Sequence, residues 1–422
     1  MKLSKTSNKL MTFFKNHDYI KPSPYNKEKD ETLKETLTKL YDDILSAYDY
    51  VCGLKKQGNY YDVSIKKIKH SSQITMSKNF DPLSIPEIIR DQIQKSATFE
   101  ITYSFSLYGR KIKIHFVVED DHINKTQQDM YNRYIDNITI WLFVLNKYGY
   151  DKCSKTFTVY LYFTSLEKKL PTREEDTLDN RHVNTAFTTS CPENGEIVIF
   201  RKEAWFKVFI HETFHNFALD FSDMDTEYVT KYILNIFKVS SNVNLFESYT
   251  EIWAEIINAT LCSFFELKDK TNVDQFLSNS LIIINSERTF GMFQMVKVLD
   301  FMGLSYKDLH SNTIIGQTRR TKLYKENTNV LAYYVIKTIL LNNYTGFLYW
   351  CKKHNYSLLR FNKTIDTQHD FCKFIENNYK TPNMNSNVVE TEKLYDDLHS
   401  TKKTKNLNYI LSNLRMSICE ME

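Results

Sequence analysis

Residues 203–219 read EAWFKVFIHETFHNFAL. With no Pro or Gly to interrupt it, one helix can run through the segment. Its apolar residues lie on every side, so the few polar ones need a reason to be there. Three of them, His211, Glu212 and His215, form His-Glu-x-x-His. Residues four apart on a helix sit one turn above each other, so both imidazoles can reach a single metal ion. Glu212 lies beside them, placed to take a proton from water activated by that ion. Zinc suits such ligands and lowers the pKa of a coordinated water to about 7. By chance the pattern arises in roughly one chain in sixty of this size and composition, so further ligands must be sought.

A zinc site of this kind needs a third protein ligand. Phe221 stands where the metzincin pattern places a histidine, ten residues after His211, which excludes that arrangement. Asp220 is one place off and lies about 90° around a continued helix. A better source is Glu247-Ser-Tyr-Thr-Glu-Ile-Trp-Ala-Glu255, where acids recur one turn apart among apolar neighbours. Together with the first motif it resembles the gluzincin type of zincin metallopeptidase, as in thermolysin and the catalytic domain of anthrax lethal factor. The resemblance implies that a Glu on a second helix completes the site, and that an acid one turn on orients a metal-binding histidine. Ala254 before the last acid matches the family form with Glu251 as ligand and Glu255 as the orienting acid. The competing register makes Glu247 the ligand and Glu251 the orienting acid. The family also uses a donor for the developing oxyanion. Tyr249 and Tyr334 are candidates, and Tyr324, Tyr333, Arg319, Arg320 and His310 lie in the same region. The resemblance spans roughly residues 99–265.

The surrounding pattern predicts an α+β fold of zincin type: a small antiparallel or mixed sheet packed on the motif helix, with a mostly helical C-terminal part. Phe99, Ile101, Tyr103 and Phe105 alternate with polar residues, as do Ile112, Ile114 and Phe116, with Tyr108-Gly109-Arg110 as the turn between them. Strands are also expected at 157–163, 184–189 and 196–200. Zincins set an edge strand beside the active helix, and either of the last two fits that place. Helices are expected over 31–56, from Pro86, over 124–148 and through most of the chain after 201. Residues 1–30 read as a polar arm and 380–406 as a loop before a last amphipathic helix with Leu407, Ile410, Leu411 and Leu414. The expected organisation is a helical extension (1–80), a metallopeptidase domain (81–266) and a helical C-terminal region (267–422).

Net charge is +4 over 422 residues, which gives no concentrated basic face for nucleic acid. No apolar run is long enough for a signal core or a membrane span. Seven scattered cysteines without CxxC suggest reduced thiols in an intracellular chain. The expected function is a zinc-dependent endopeptidase acting on protein or peptide substrates, with one Zn2+ per chain. The rival readings are an inactive zincin-fold scaffold and a helical interaction protein bearing the motif by accident.

Overall fold

The alternating runs at 99–107 and 110–118 pair as a hairpin across two residues, Tyr108 and Gly109. Both have positive φ (50° and 75°), the geometry that matches the twist of the flanking strands. In the computed structural model, which describes residues 3–17, 20–173, 175–402 and 404–421, this hairpin is part of a six-stranded sheet. The strands are β1 (Asp62–Lys67), β2 (Phe99–Leu107), β3 (Arg110–Val118), β4 (Thr156–Phe163), β6 (Ala186–Thr188) and β7 (Asn194–Ile199), in the order β1-β2-β3-β4-β7-β6. A separate pair joins β5 (Leu178–Asp179) to β8 (Glu326–Asn327). The sheet is mixed: β3, β4 and β7 run parallel, while β1, β2 and the far edge strand β6 are antiparallel to their neighbours.

Helices α1 (Lys5–Asn16) and α2 (Lys27–Gln57) precede the sheet; α3 (Glu87–Ser96), α4 (Lys125–Asn146) and the short α5 (Asn180–Val183) connect its strands. After β7 the fold is helical: α6 (Trp205–Asn216), α7 (Glu227–Ile236), α8 (Leu245–Glu266), α9 (Val273–Phe301), α10 (Ile314–Leu323), α11 (Lys337–Asn342), α12 (Tyr344–His354), α13 (Ile365–Asn378), α14 (Pro382–Ser400) and α15 (Lys405–Ser412). The period of two along the strands puts Ile101, Tyr103, Ile114, Val159, Leu161 and Ile197 on one face. There they join the main core with α4, α6 and α8. Val117, Tyr160, Tyr162 and Val198 face the other way and are covered by Ile85, Ile89 and Ile93 at α3. The main apolar cluster draws on residues from Leu10 to Met421, so all three expected regions contribute to it.

Two polar stretches are helical where an arm and a loop were expected. Residues 5–16 form α1, which lays Leu10 and Phe14 on the core; the Phe14 ring meets Phe290 and Phe293 of α9 edge-on at 5.5 and 5.2 Å. Most of 380–406 is α14, started by Thr381, whose side chain accepts from the Met384 N–H, and by Pro382 in the first turn. Its buried face includes Asn387 and Thr391 besides Met384, Val388 and Tyr395, so hydropathy alone hides its amphipathic character. No helix among the described residues is long and apolar enough to cross a membrane.

The cysteines also depart from expectation. Cys153, just before β4, is disulfide-bonded to Cys191 in the turn before β7, at a sequence separation of 38 and with 4.7 Å between Cα atoms. Cys153 and Cys191 are therefore not reduced thiols, and the pairing removes one support for an intracellular chain. Cys52, Cys262, Cys351, Cys372 and Cys419 are free. Alkylation in denaturant without reductant should therefore label five cysteines by mass, and prior reduction should add two. Labelling of all seven without reductant would refute the bond.

Candidate metal centre

Every residue of α6 from Trp205 to Asn216 is buried. The helix lies between the sheet and α8, which is itself buried almost throughout. Trp141 of α4 donates to Thr213 Oγ1 at 2.8 Å, and Asn216 Nδ2 donates to Thr188 Oγ1 of edge strand β6 at 2.9 Å. These bonds fix the rotation of α6 about its axis, so the motif side chains face α8 and β6. The helix stops at Ala218, whose φ of 56° is left-handed. The N–H groups of Ala218 and Leu219 return to the carbonyls of His215 and Phe214 at 3.0 and 2.8 Å.

Three ligand atoms converge between α6 and α8. His211 Nε2 lies 3.1 Å from His215 Nε2 and 3.0 Å from Glu247 Oε2, and His215 Nε2 lies 3.4 Å from Glu247 Oε2. A tetrahedral ion with bonds of about 2.0–2.1 Å needs ligand atoms about 3.3–3.4 Å apart, so this triangle fits a zinc-sized ion with little adjustment. The side chain of Glu247 keeps 13% exposure, which leaves the centre reachable from outside. These residues form the His-His-Glu group that could hold a metal.

The ring nitrogens facing away from the triangle are both held by acids. His211 Nδ1 is 2.9 Å from Glu251 Oε2, and His215 Nδ1 pairs with Asp220. Asp220 is fixed in turn by the Ser222 N–H and hydroxyl, at 3.2 and 2.8 Å, and by Thr250 Oγ1 at 3.2 Å. Lys207, one turn before His211, donates to the other oxygen of Glu251. Such outer acids set the tautomer that presents Nε2 to a metal and make the ring a stronger donor.

The site thus adopts the competing register. Glu251 is not a member of the ligand triangle, because its carboxylate is spent on His211 Nδ1 and Lys207; Glu247, one turn earlier, holds the third position. Glu255 orients no histidine. It accepts from Lys337 Nζ at 2.8 Å, and burial pushes its carboxyl up to about 8. Asp220 is the acid behind His215. The left-handed turn at Ala218 ends the helix and brings Asp220 back over the ring, a position that a continued helix would not give it. Phe221 packs against Phe361 at 4.4 Å between ring centres.

The two favoured tyrosines do not reach the site. The Tyr249 hydroxyl donates to Leu359 O at 3.3 Å and accepts from Asn355 Nδ2 at 2.8 Å. The Tyr334 hydroxyl donates to Leu414 O at 2.8 Å. Tyr333 is the tyrosine at the centre, its ring 6.1 Å from that of His211. It belongs to a π-helical turn, Leu331–Ile336, that leads into α11 and sets neighbouring side chains on different sides. Burial, then the charges of Glu247, Glu212 and Glu251, push its hydroxyl well above the usual range, so it stays protonated.

Glu212 lines the cavity beside the triangle and makes no hydrogen bond or ion pair with another described side chain. Burial raises its pKa, opposed by the two histidines. Burial also raises that of Glu247, but His215 and His211 outweigh it and hold the carboxylate far below its ordinary range. For the histidines burial acts downward, and the acids outweigh it: Glu247 and Glu251 raise His211, and Asp220 and Glu247 raise His215. Without metal both rings therefore hold a proton above the ordinary 6.5. A metal must displace these protons, so affinity should rise with pH through that raised range and level off above it.

Metal analysis of purified variants separates the registers. Glu247→Ala and His215→Ala should lose bound zinc. Glu251→Gln should keep it with affinity lowered about 10–100-fold. Zinc retained by Glu247→Ala and lost from Glu251→Gln would restore the other register. Titrations of the wild type at successive pH values should show tighter binding as pH rises.

No protein family, curated protein or solved structure matches this chain in the comparisons made.

Proposed function

We propose that the protein is a zinc-dependent peptidase of gluzincin type. The observation that carries this reading is the arrangement of His211, His215 and Glu247 at tetrahedral spacing, with both outward nitrogens held by acids and an unpaired Glu212 carboxylate alongside. A purely structural helix pair has no use for a free, buried carboxylate next to two histidines, since an uncompensated acid there costs stability.

His211, His215 and Glu247 would hold the ion. When bound, zinc supplies a Lewis acid that polarises a carbonyl and makes water nucleophilic at neutral pH. Glu212 takes the proton from the attacking water and delivers it to the leaving amine; its raised pKa brings it nearer the working pH of such a shuttle. Tyr333, protonated and close to the ligands, donates a hydrogen bond to the oxygen on which charge develops. The edge strand β6 pairs with β7 on one side only, and Asn184, Thr185 and Ala186 at its start line the cavity with Glu212. An extended substrate lies along that edge as an added strand.

The test is cleavage of a degenerate peptide mixture by zinc-loaded protein, read by mass spectrometry. Glu212→Gln should retain zinc and lose about 10²–10⁴-fold in rate. Tyr333→Phe should retain zinc and lose roughly 10²–10³-fold, mainly in kcat. A zinc-loaded wild type that cleaves nothing would leave a zincin-like binding protein and sink the enzyme.

A further inference from the structure

Lys168 lies in the loop after β4 and lines the cavity that His211 also lines. Its backbone is fixed at both polar atoms: the N–H donates to Glu203 Oε2 at 3.1 Å and the carbonyl accepts from the Leu414 N–H at 2.9 Å. The residue is only 2% exposed, yet its ammonium makes no hydrogen bond or ion pair with any described residue. It is not sealed in the core. It lines the same narrow, solvent-open cleft as Glu212, His211, Thr185 and Ala186, whose free volume is about 30 Å3.

Glu203 and Glu251 attract it through space, but no carboxylate of the described residues lies within ion-pairing distance of its ammonium. Lys207, also on the cavity wall, is committed to Glu251. Arg201 donates to the carbonyls of Asn184, Leu166 and Arg181 and adds a second positive charge nearby. Glu203, the acid that acts most strongly on Lys168, takes its backbone N–H and is 3.9 Å from Arg415. Burial accordingly pushes the Lys168 ammonium down to about 7. A buried cation without a partner is costly, and an incoming anion removes that cost.

We propose that Lys168 anchors a subsite for a substrate carboxylate beside the metal centre. The inference rests on the peptidase reading for what that carboxylate belongs to: an acidic side chain next to the scissile bond, or the free C-terminus of a peptide. Either forms a charge-assisted hydrogen bond with the Lys168 ammonium, which shares its cavity with Glu212.

Binding measured without turnover tests this independently of catalysis. Three acetylated tripeptides serve as probes: Ala-Ala-Glu amide (side-chain carboxylate only), Ala-Ala-Gln free acid (terminal carboxylate only) and Ala-Ala-Gln amide (neither). Each is titrated calorimetrically into metal-free wild type and zinc-loaded Glu212→Gln protein, and into the same forms carrying Lys168→Met. One of the two acids should bind at least tenfold more tightly than the neutral amide with or without zinc, and Lys168→Met should remove the difference. Which acid it is identifies the source. Equal binding of all three by the wild-type residue overturns the subsite, even if Lys168→Met fails to fold. So does a preference that survives in Lys168→Met or appears only with zinc, which would mark direct coordination. A preference found in a protein that cleaves no peptide would sustain the subsite while the peptidase reading falls.

Discussion

The contact between α6 and α8 is a row of charge in an interior that is otherwise apolar. From Asp220 it runs through His215, Glu247, His211 and Glu251 to Lys207, each member within hydrogen-bonding distance of the next. Ions taken out of water are tolerated only when each has a partner, and removing one member of a buried pair costs about 3–5 kcal/mol. The row therefore specifies how far α8 may slide along α6. A shift of one turn, about 5.4 Å, would leave Glu247 or Glu251 without its histidine. The packing of α8 on α6 and the geometry of the candidate metal group follow from one constraint.

That same constraint explains what could be read from the chain before its fold was known. Two histidines four residues apart declare a shared face by helix geometry alone, and His211 and His215 do share it. Alternation declared the hairpin at 99–118, and the edge strand near 184–189 lies beside the motif helix as β6. The third ligand was different in kind. Glu247 and Glu251, like Glu251 and Glu255, are acids one turn apart, and no local property separates the two pairs. The choice depends on the slide of α8 against α6, which is tertiary. Ala254 pointed to the wrong pair because it packs in the core without reporting on that slide. Asp220 was misread for a related reason. A continued helix would have carried it away from His215, and only the left-handed residue Ala218 returns it. Tyr333 depends on a π-helical turn, for which the stretch of apolar residues around it carries no periodic signal. The helix at 382–400 was hidden because several of its buried residues are polar.

The acids of α8 show how position along one helix sets chemistry. Glu247 meets two histidines and stays ionised far below the ordinary range. One turn on, Glu251 is also held well below its ordinary value, since Lys207 and His211 outweigh burial. One turn further, burial carries the Glu255 carboxyl up to about 8, because Lys337 beside it and Lys207 further off are opposed by the like charges of Glu287 and Glu251. Three residues of one type at one spacing thus divide into a member of the candidate metal group, a histidine support and a structural hydrogen-bond partner of Lys337. The gradient follows the local count of cations and not depth alone, because Glu251 and Glu255 are each 1% exposed.

Beyond Glu255 the interior polarity passes to the C-terminal segment. Glu287 of α9 accepts from the Ser417 hydroxyl at 2.7 Å and from the N–H groups of Ile418 and Cys419 at 2.8 and 3.0 Å. Lys337 reaches from Glu255 to the Met416 carbonyl at 3.3 Å, and Leu414 binds the Lys168 carbonyl. Residues 414–419 are therefore held by the same network that supports Glu251, and Met416 borders the cavity beside Glu212. The strap closes the floor of the site through backbone hydrogen bonds to buried acids and lysines. The cavity that holds Lys168 thus takes its shape from residues far apart in sequence.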